Sequence, residues 1–222
     1  MSKINVITID GPAGVGKSTV SKKIADILGF ILLDTGAMYR AVGIYLGDRA
    51  VQLDNAEAVS QALSGVKIDL LSSKIGDCGV VIAGEDISCR IRTPEAAMMA
   101  SKVSALPVVR EKLTEMQRAL GQKGAVVAEG RDMGTVVFPQ ALHKFFLDAA
   151  PEVRCKRRSD QLREKGEEVN EVELLEQIIT RDKNDRERKI APLKKAEDAL
   201  LIDTGTLSLD GVVEAVLASI RN

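Results

Sequence analysis

Eight consecutive residues, Gly11-Pro12-Ala13-Gly14-Val15-Gly16-Lys17-Ser18, carry the spacing G-x-x-x-x-G-K-[ST]. The chemistry open to such a segment is anion binding. Its glycines let the backbone turn sharply and bring N–H groups close to phosphate oxygens. A helix starting near Lys17 adds the positive end of its dipole. Lys17 supplies a mobile cation for the outer phosphates, the Ser18 hydroxyl is the candidate Mg²⁺ ligand, and Thr19 completes the candidate triphosphate site. The pattern requires a strand before it and a helix after it. Residues 4–10 are rich in β-branched side chains, and residues 18–28 read as a helix with Val20, Ile24, Ile27 and Leu28 on one face.

A phosphate loop alone does not choose among a switch, a motor and a kinase. A GTPase is expected to carry Asn-Lys-x-Asp after a strand. Asp182-Lys183-Asn184-Asp185 has similar composition in the wrong order, within a helical segment. A chain of 222 residues is short for a large motor ATPase, so a small-molecule kinase is the leading expectation. Such an enzyme must hold a second, acidic substrate. Arg40 follows Asp34-Thr35-Gly36-Ala37-Met38-Tyr39. Arg131 lies in Glu129-Gly130-Arg131-Asp132-Met133-Gly134, just past a predicted strand, where the carboxyl ends of parallel strands place ligands. Arg181, Asp185 and Arg188 are spaced i, i+4, i+7 on a helix predicted over 172–188. The neighbouring stripe of Leu174, Leu175, Ile178 and Ile179 predicts a position at the edge of the core. Spacing alone leaves an intrahelical ion-pair ladder and a ligand-facing arrangement both open.

These residues need a frame. Apolar segments at 30–33, 125–128, 144–148 and 200–203 join the first strand, alternating with helices at 110–120 and 212–220 among others. That alternation implies a parallel sheet covered on both faces. Residues 66–71, 79–83 and 86–91 break the rhythm as three short strands, a small antiparallel insert. Residues 151–166 open with Pro at a first helical position and carry Arg154, Lys156, Arg157, Arg158 and Arg163.

Hydrophobic residues at 45% and charged residues at 28% make an ordinary soluble globular composition, and 222 residues suffice for one domain with a large core or for one carrying small appendages. Neither a secretory signal nor a membrane span is expected. A net charge of −1 argues against non-specific nucleic-acid binding. Cys78, Cys89 and Cys155 are too scattered for a zinc site or a disulfide framework, so reduced thiols are expected. The single histidine, His143, precedes Phe145-Phe146-Leu147 and reads as a strand-entry residue, which argues against a Ser-His-Asp hydrolase.

Several motifs together resemble the bacterial cytidylate kinases, which are P-loop nucleoside monophosphate kinases. They are the phosphate loop, residues 33–40 (Leu33 through Arg40), Ile91-Arg92-Thr93, residues 129–139 (Glu129 through Pro139) and Arg181-Asp182-x-x-Asp185-Arg186-x-Arg188. The likeness runs in order over essentially the whole chain, and residues 130–139 are far more specific than the phosphate loop. The segment from about 52 to 95 resembles the extra piece of the bacterial-type enzymes. The resemblance implies an α/β fold: a P-loop NTPase-type parallel five-stranded sheet flanked by helices, with a small antiparallel insert and a helical lid. It implies a core (about 1–34, 96–150 and 189–222), a monophosphate-binding region with the insert (about 35–95) and a lid (about 151–170).

It also implies transfer of a phosphoryl group from ATP, with Mg²⁺, to CMP or dCMP, by a monomeric cytoplasmic enzyme with no nucleic-acid or membrane partner. Carried over by residue, Gly11, Pro12, Ala13, Gly14, Val15, Gly16, Lys17, Ser18 and Thr19 bind ATP. Arg40, Arg131 and Arg188 contact the acceptor phosphate. Thr35, Ser101, Arg110 and Asp132 read cytosine, and Arg181 and Asp185 hold the sugar. Arg154, Arg157 and Arg158 match the lid. The last two join Lys17, Arg131 and Arg188 as catalytic cations, and Ser18 is the metal ligand. Two departures are small: Thr35 stands where Ser is frequent, and Glu129 where Asp is common, which leaves Glu129 outside the expected metal site. A kinase for UMP, AMP or shikimate, or a nucleotide-dependent switch without turnover, would share the phosphate loop.

Overall fold

A computed structural model describes residues 5–71 and 79–221. Ile4 and Cys78 lie outside the described residues. Along the chain come β1 (Val6–Asp10), α1 (Lys17–Leu28), β2 (Ile31–Asp34), α2 (Thr35–Asp48), α3 (Ala56–Leu63), β3 (Ile68–Leu71), β4 (Gly79–Ile82) and β5 (Glu85–Asp86). After a 3₁₀ turn at Arg90–Arg92 follow α4 (Pro94–Val103), α5 (Pro107–Gly121) and β6 (Val126–Gly130). A π turn at Met133–Val137 leads to β7 (His143–Asp148), α6 (Pro151–Arg163), α7 (Glu171–Glu187), β8 (Leu200–Asp203) and α8 (Leu209–Arg221). Among the described residues the main sheet is parallel and five-stranded, in the order β2-β6-β1-β7-β8, and β3-β4-β5 form a small antiparallel sheet.

The chain divides into two compact units, Met1–Phe30 with Ala125–Asn222, and Ile31–Gly124. In the first, every residue of β1 and β6 is buried, so both faces of these strands are covered and their apolar runs need no alternation. Register sets Val6 opposite Val126 and Asp10 opposite Gly130, with Asp10 also beside Phe146. The carboxyl ends of β1, β6 and β7 therefore lie level, and the phosphate loop and the 131–134 segment leave from the same edge. Helices α1 and α8 pack on one another. Gly29, at φ 68°, closes α1 in the left-handed conformation that glycine tolerates best. His143 is the first residue of β7.

In the second unit the side chain of Asp34 caps α2, accepting from the Ala37 amide at 2.8 Å, and Thr93 caps α4 with Pro94 at its first position. Helices α2 and α4 approach closely at Gly43, where a Cβ would sit 2.9 Å from Met99 Cβ.

Four expectations are corrected. Ile27 is exposed, and the buried face of α1 is Val20, Ser21, Ile24 and Ala25, because the apolar stripe there is narrower than hydropathy suggests. The third insert strand is only Glu85–Asp86, and the chain then turns into the 3₁₀ segment, with Ser88 bonded back to Asp86 rather than along a ladder. Helix α7 buries Asp182 and Asp185, whereas Leu174, Leu175 and Ile178 are half-buried and Ile179 is exposed. Helix α7 itself ends at Glu187, one residue short of the expected 188, and Arg188 is its C-cap, with its N–H still bonded to the Asn184 carbonyl and its charge still felt at Asp185.

Candidate active site

The first unit assembles an anion site from the loop upward. Gly11 takes φ 149°, and a Cβ there would lie 2.1 Å from the Leu147 carbonyl oxygen, so no larger residue fits beside β7. Gly16, at φ 88°, turns the chain into α1. Lys17 is buried and folds back so that its Nζ donates to the Pro12 carbonyl at 2.6 Å. Burial holds its pKa well below the ordinary lysine value; the Arg131 charge pushes it further down, against the pull of Glu129 and Asp10. Cationic side chains crowding a lysine favour a bound polyanion, whose charge relieves both. Ser18 and Thr19 are exposed at the start of α1, and the Ser18 hydroxyl donates to Glu129 Oε2 at 3.0 Å.

Glu129 is buried at the end of β6. Its carboxylate reaches Ser18 even though its side chain is one carbon longer than aspartate. A hydroxyl and a carboxylate at this spacing are hard oxygen donors that suit Mg²⁺. No cluster of three or more His, Cys, Asp or Glu able to hold a metal occurs among the described residues. An ion here must therefore complete its shell with substrate phosphates and water, as Mg²⁺ commonly does.

The segment after β6 is held from below. Buried Asp10, the last residue of β1, accepts from the Met133 and Gly134 amides at 2.9 and 2.8 Å. Burial raises its carboxyl from 3.8 to about 6, although those two bonds and Lys17 oppose the shift and Asp132 adds to it. The π turn at Met133–Val137 fixes where Arg131 and Asp132 leave the sheet. Arg131 Nε donates to Asp185 Oδ2 at 2.9 Å. Arg188 Nη2 donates to Asp132 Oδ1 at 3.3 Å, and its Nε to the Ala191 carbonyl at 2.6 Å. Burial raises the Asp185 carboxyl, but Arg131, Arg181 and Arg188 outweigh it and hold the group below the usual carboxylate value. Lys17, Ser18, Arg131, Asp132, Arg181, Asp185 and Arg188 thus share one charged network in this unit.

Helix α6 treats its arginines differently. Arg154 is 1% exposed and bound to Asp182. Arg157 donates to the Thr204 carbonyl at 2.6 Å and Arg158 is half-buried.

The second unit holds its own candidates. Asp34, the cap of α2, also accepts from Arg40 Nη2 at 3.2 Å. A Cβ on Gly36 would press on that pair at 3.2 Å, which gives the glycine a reason beyond backbone freedom. Thr35 is buried at the first position of α2. Buried Arg110 on α5 donates to the Ser104 carbonyl at 3.3 Å and lies 5.7 Å from the Tyr39 ring centre. Ser101, half-buried on α4, accepts at its carbonyl from the Ser104 hydroxyl.

Sequence reasoning passed over Asp10, Asp34 and Asp182, and set Glu129 aside. Asp10 was the most legible of these, a lone carboxylate closing an apolar strand directly before the loop. Asp182 gave no such signal, since an acidic residue within a charged helix is ordinary.

A family model described as cytidylate kinase matches residues 7–222. The cytidylate kinase of Nitratidesulfovibrio vulgaris (strain Hildenborough) is 48% identical over 219 residues, covering 99% of this chain and 94% of that protein. The cytidylate kinase of Thermosipho melanesiensis is 47% identical over 215 residues, covering 97% and 96%. Among solved structures, an uncharacterized protein from Eubacterium ventriosum shares the fold at a TM-score of 0.53 and 14% identity, covering 99% of both chains.

Proposed function

The chain belongs to the cytidylate kinase family, and from that premise we propose how its residues carry out the reaction. The enzyme transfers a phosphoryl group from ATP to CMP or dCMP, giving ADP and CDP or dCDP. The nucleophile is an acceptor phosphate oxygen. With a second pKa of roughly 6 it is largely ionised at neutral pH, so no protein base is required. What remains is alignment of two polyanions and neutralisation of their charge.

Residues 11–19 cradle the ATP phosphates, with Lys17 on the outer ones. Ser18, beside the Glu129 carboxylate, would hold Mg²⁺, which supplies charge neutralisation on the donor phosphates. Arg131 and Arg188 take the acceptor phosphate together with Arg40. Thr35, Ser101, Arg110 and Asp132 read cytosine, and Arg181 and Asp185 hold the sugar. Arg157 and Arg158 belong to a lid that excludes water from the transferring group. The enzyme works as a cytoplasmic monomer.

The observation that carries this reading is the pairing of Arg131 with Asp185 and of Arg188 with Asp132. Carboxylates hold both guanidinium groups in place, so cations meant for an acceptor phosphate are aimed before the ligand arrives. ADP release with ATP and a panel of CMP, dCMP, UMP and AMP tests it. CMP or dCMP should give the highest kcat/KM, and a preference for AMP or UMP would overturn the acceptor assignment.

A further inference from the structure

Arg154 and Asp182 belong to no step above, yet they are among the most deeply buried charged groups described. Arg154, on α6, is 1% exposed, and Asp182, on α7, is 5% exposed. All three guanidinium nitrogens are engaged: Nε donates to the Ala149 carbonyl at 2.9 Å, Nη1 to Asp182 Oδ1 at 3.0 Å and to the Ala13 carbonyl at 3.1 Å, and Nη2 to Asp182 Oδ2. A two-pronged pair of this kind fixes both position and plane. Its charge is neutralised, so it adds little direct attraction for phosphate.

Its contact with Ala13 matters more. A peptide unit is planar, so pinning a carbonyl also fixes the direction of the next residue's N–H, on the opposite side. Lys17 pins the Pro12 carbonyl and thereby the Ala13 N–H. Arg154 pins the Ala13 carbonyl and thereby the Gly14 N–H. Two successive loop amides are thus held by two cations of different depth. Gly14, at φ 80°, lies with its Cβ position 3.4 Å from Arg154 Cβ, so the loop rests on this arginine's stem as well.

We propose that Arg154, oriented by Asp182, is a positioning residue that presents the Ala13–Gly14 peptide N–H to the ATP phosphates. It acts through the loop and touches no substrate. This rests on the reading of residues 11–19 as the ATP site, which binding of ATP by the wild-type protein, acceptor absent, tests separately.

The test is ATP affinity of the free protein alongside its Tm. Breaking half of a buried pair can unfold a protein, whereas replacing both members by apolar groups of similar size is often neutral for stability. The double variant Arg154→Met/Asp182→Leu should keep a Tm near that of wild type. Its ATP affinity should fall about tenfold, and its kcat/KM for ATP on the order of 10²-fold, as misplaced reacting groups do. A folded double variant with wild-type ATP affinity would mean that the pair serves stability alone, which overturns the proposal. Arg154→Lys decides the matter if the double variant does not fold. Lysine keeps a cation beside Asp182 but cannot span Ala13, Ala149 and both carboxylate oxygens. It should show the same loss of ATP affinity, and an affinity within about twofold of wild type (under 0.5 kcal/mol) counts against the proposal.

Discussion

Two sets of arginines in one unit look alike in sequence and behave differently in the structure. Around α7 and the turn after β6, Arg131 is held by Asp185 through Nε, and Arg188 by Asp132 through Nη2 with the Ala191 carbonyl on its Nε. On α6, Arg154 spends all of its nitrogens on protein acceptors, while Arg157 engages Thr204 and Arg158 is half-buried. The first arrangement orients cations with carboxylates that are themselves proposed ligand contacts. The Arg154 arrangement consumes the cation to hold backbone. Charge alone does not assign a role to an arginine; the groups that hold it do.

The comparison is sharpened first by acceptor choice. Asp132 is oriented by Arg188 and buried, so an acceptor carbonyl facing it in place of an amino group leaves a desolvated carboxylate unmatched. Wild-type enzyme should prefer CMP over UMP by on the order of 10⁴ in kcat/KM, and Asp132→Asn should erase most of that gap. Equal kcat/KM for UMP and CMP in the wild type contradicts the assignment of Asp132. Next, Arg131→Ala should lower kcat on the order of 10³-fold while circular dichroism stays native, because Arg181 and Arg188 still face Asp185. A loss of less than tenfold would take Arg131 out of the acceptor-phosphate site.

A third effect concerns the support beneath that turn. Asp10 titrates near 6 in the folded protein against 3.8 when unfolded. Between those values the folded chain binds more protons, so this group makes stability fall as pH rises, and its full cost of about 3 kcal/mol is present above the folded pKa. Asp10→Asn removes the slope. Its stability relative to wild type, from urea unfolding, should rise by about that amount between pH 4 and pH 7. A difference that does not change with pH refutes it. The smallest effect is expected at α6: Arg157→Ala should cost about tenfold in kcat/KM, the worth of one charged hydrogen bond. Hydrogen exchange should also show weaker protection of α6 with both nucleotides bound.

Much of this was legible beforehand, for physical reasons. The strand-loop-helix at the phosphate loop is dictated by β-branched residues, glycines and a helix start, all local signals. The parallel sheet follows from apolar strands alternating with helices. Arg131 was placed correctly because its position depends only on where β6 ends. Ile27, the α7 stripe and the burial of Arg154 were not legible. Each depends on what packs opposite, and helical periodicity does not say which face that is. Arg188 lies one residue past the end of the helix, a boundary that periodicity does not fix. Asp182 was invisible because its meaning lies in Arg154, 28 positions away in sequence.

The most direct measurement is a single-turnover phosphoryl transfer from ATP to CMP, comparing wild type with Arg188→Ala at saturating concentrations of both nucleotides. Aimed arginines around α7 predict a rate lower on the order of 10³-fold with circular dichroism and Tm close to wild type. A near-normal rate in the folded variant would contradict the account at its centre.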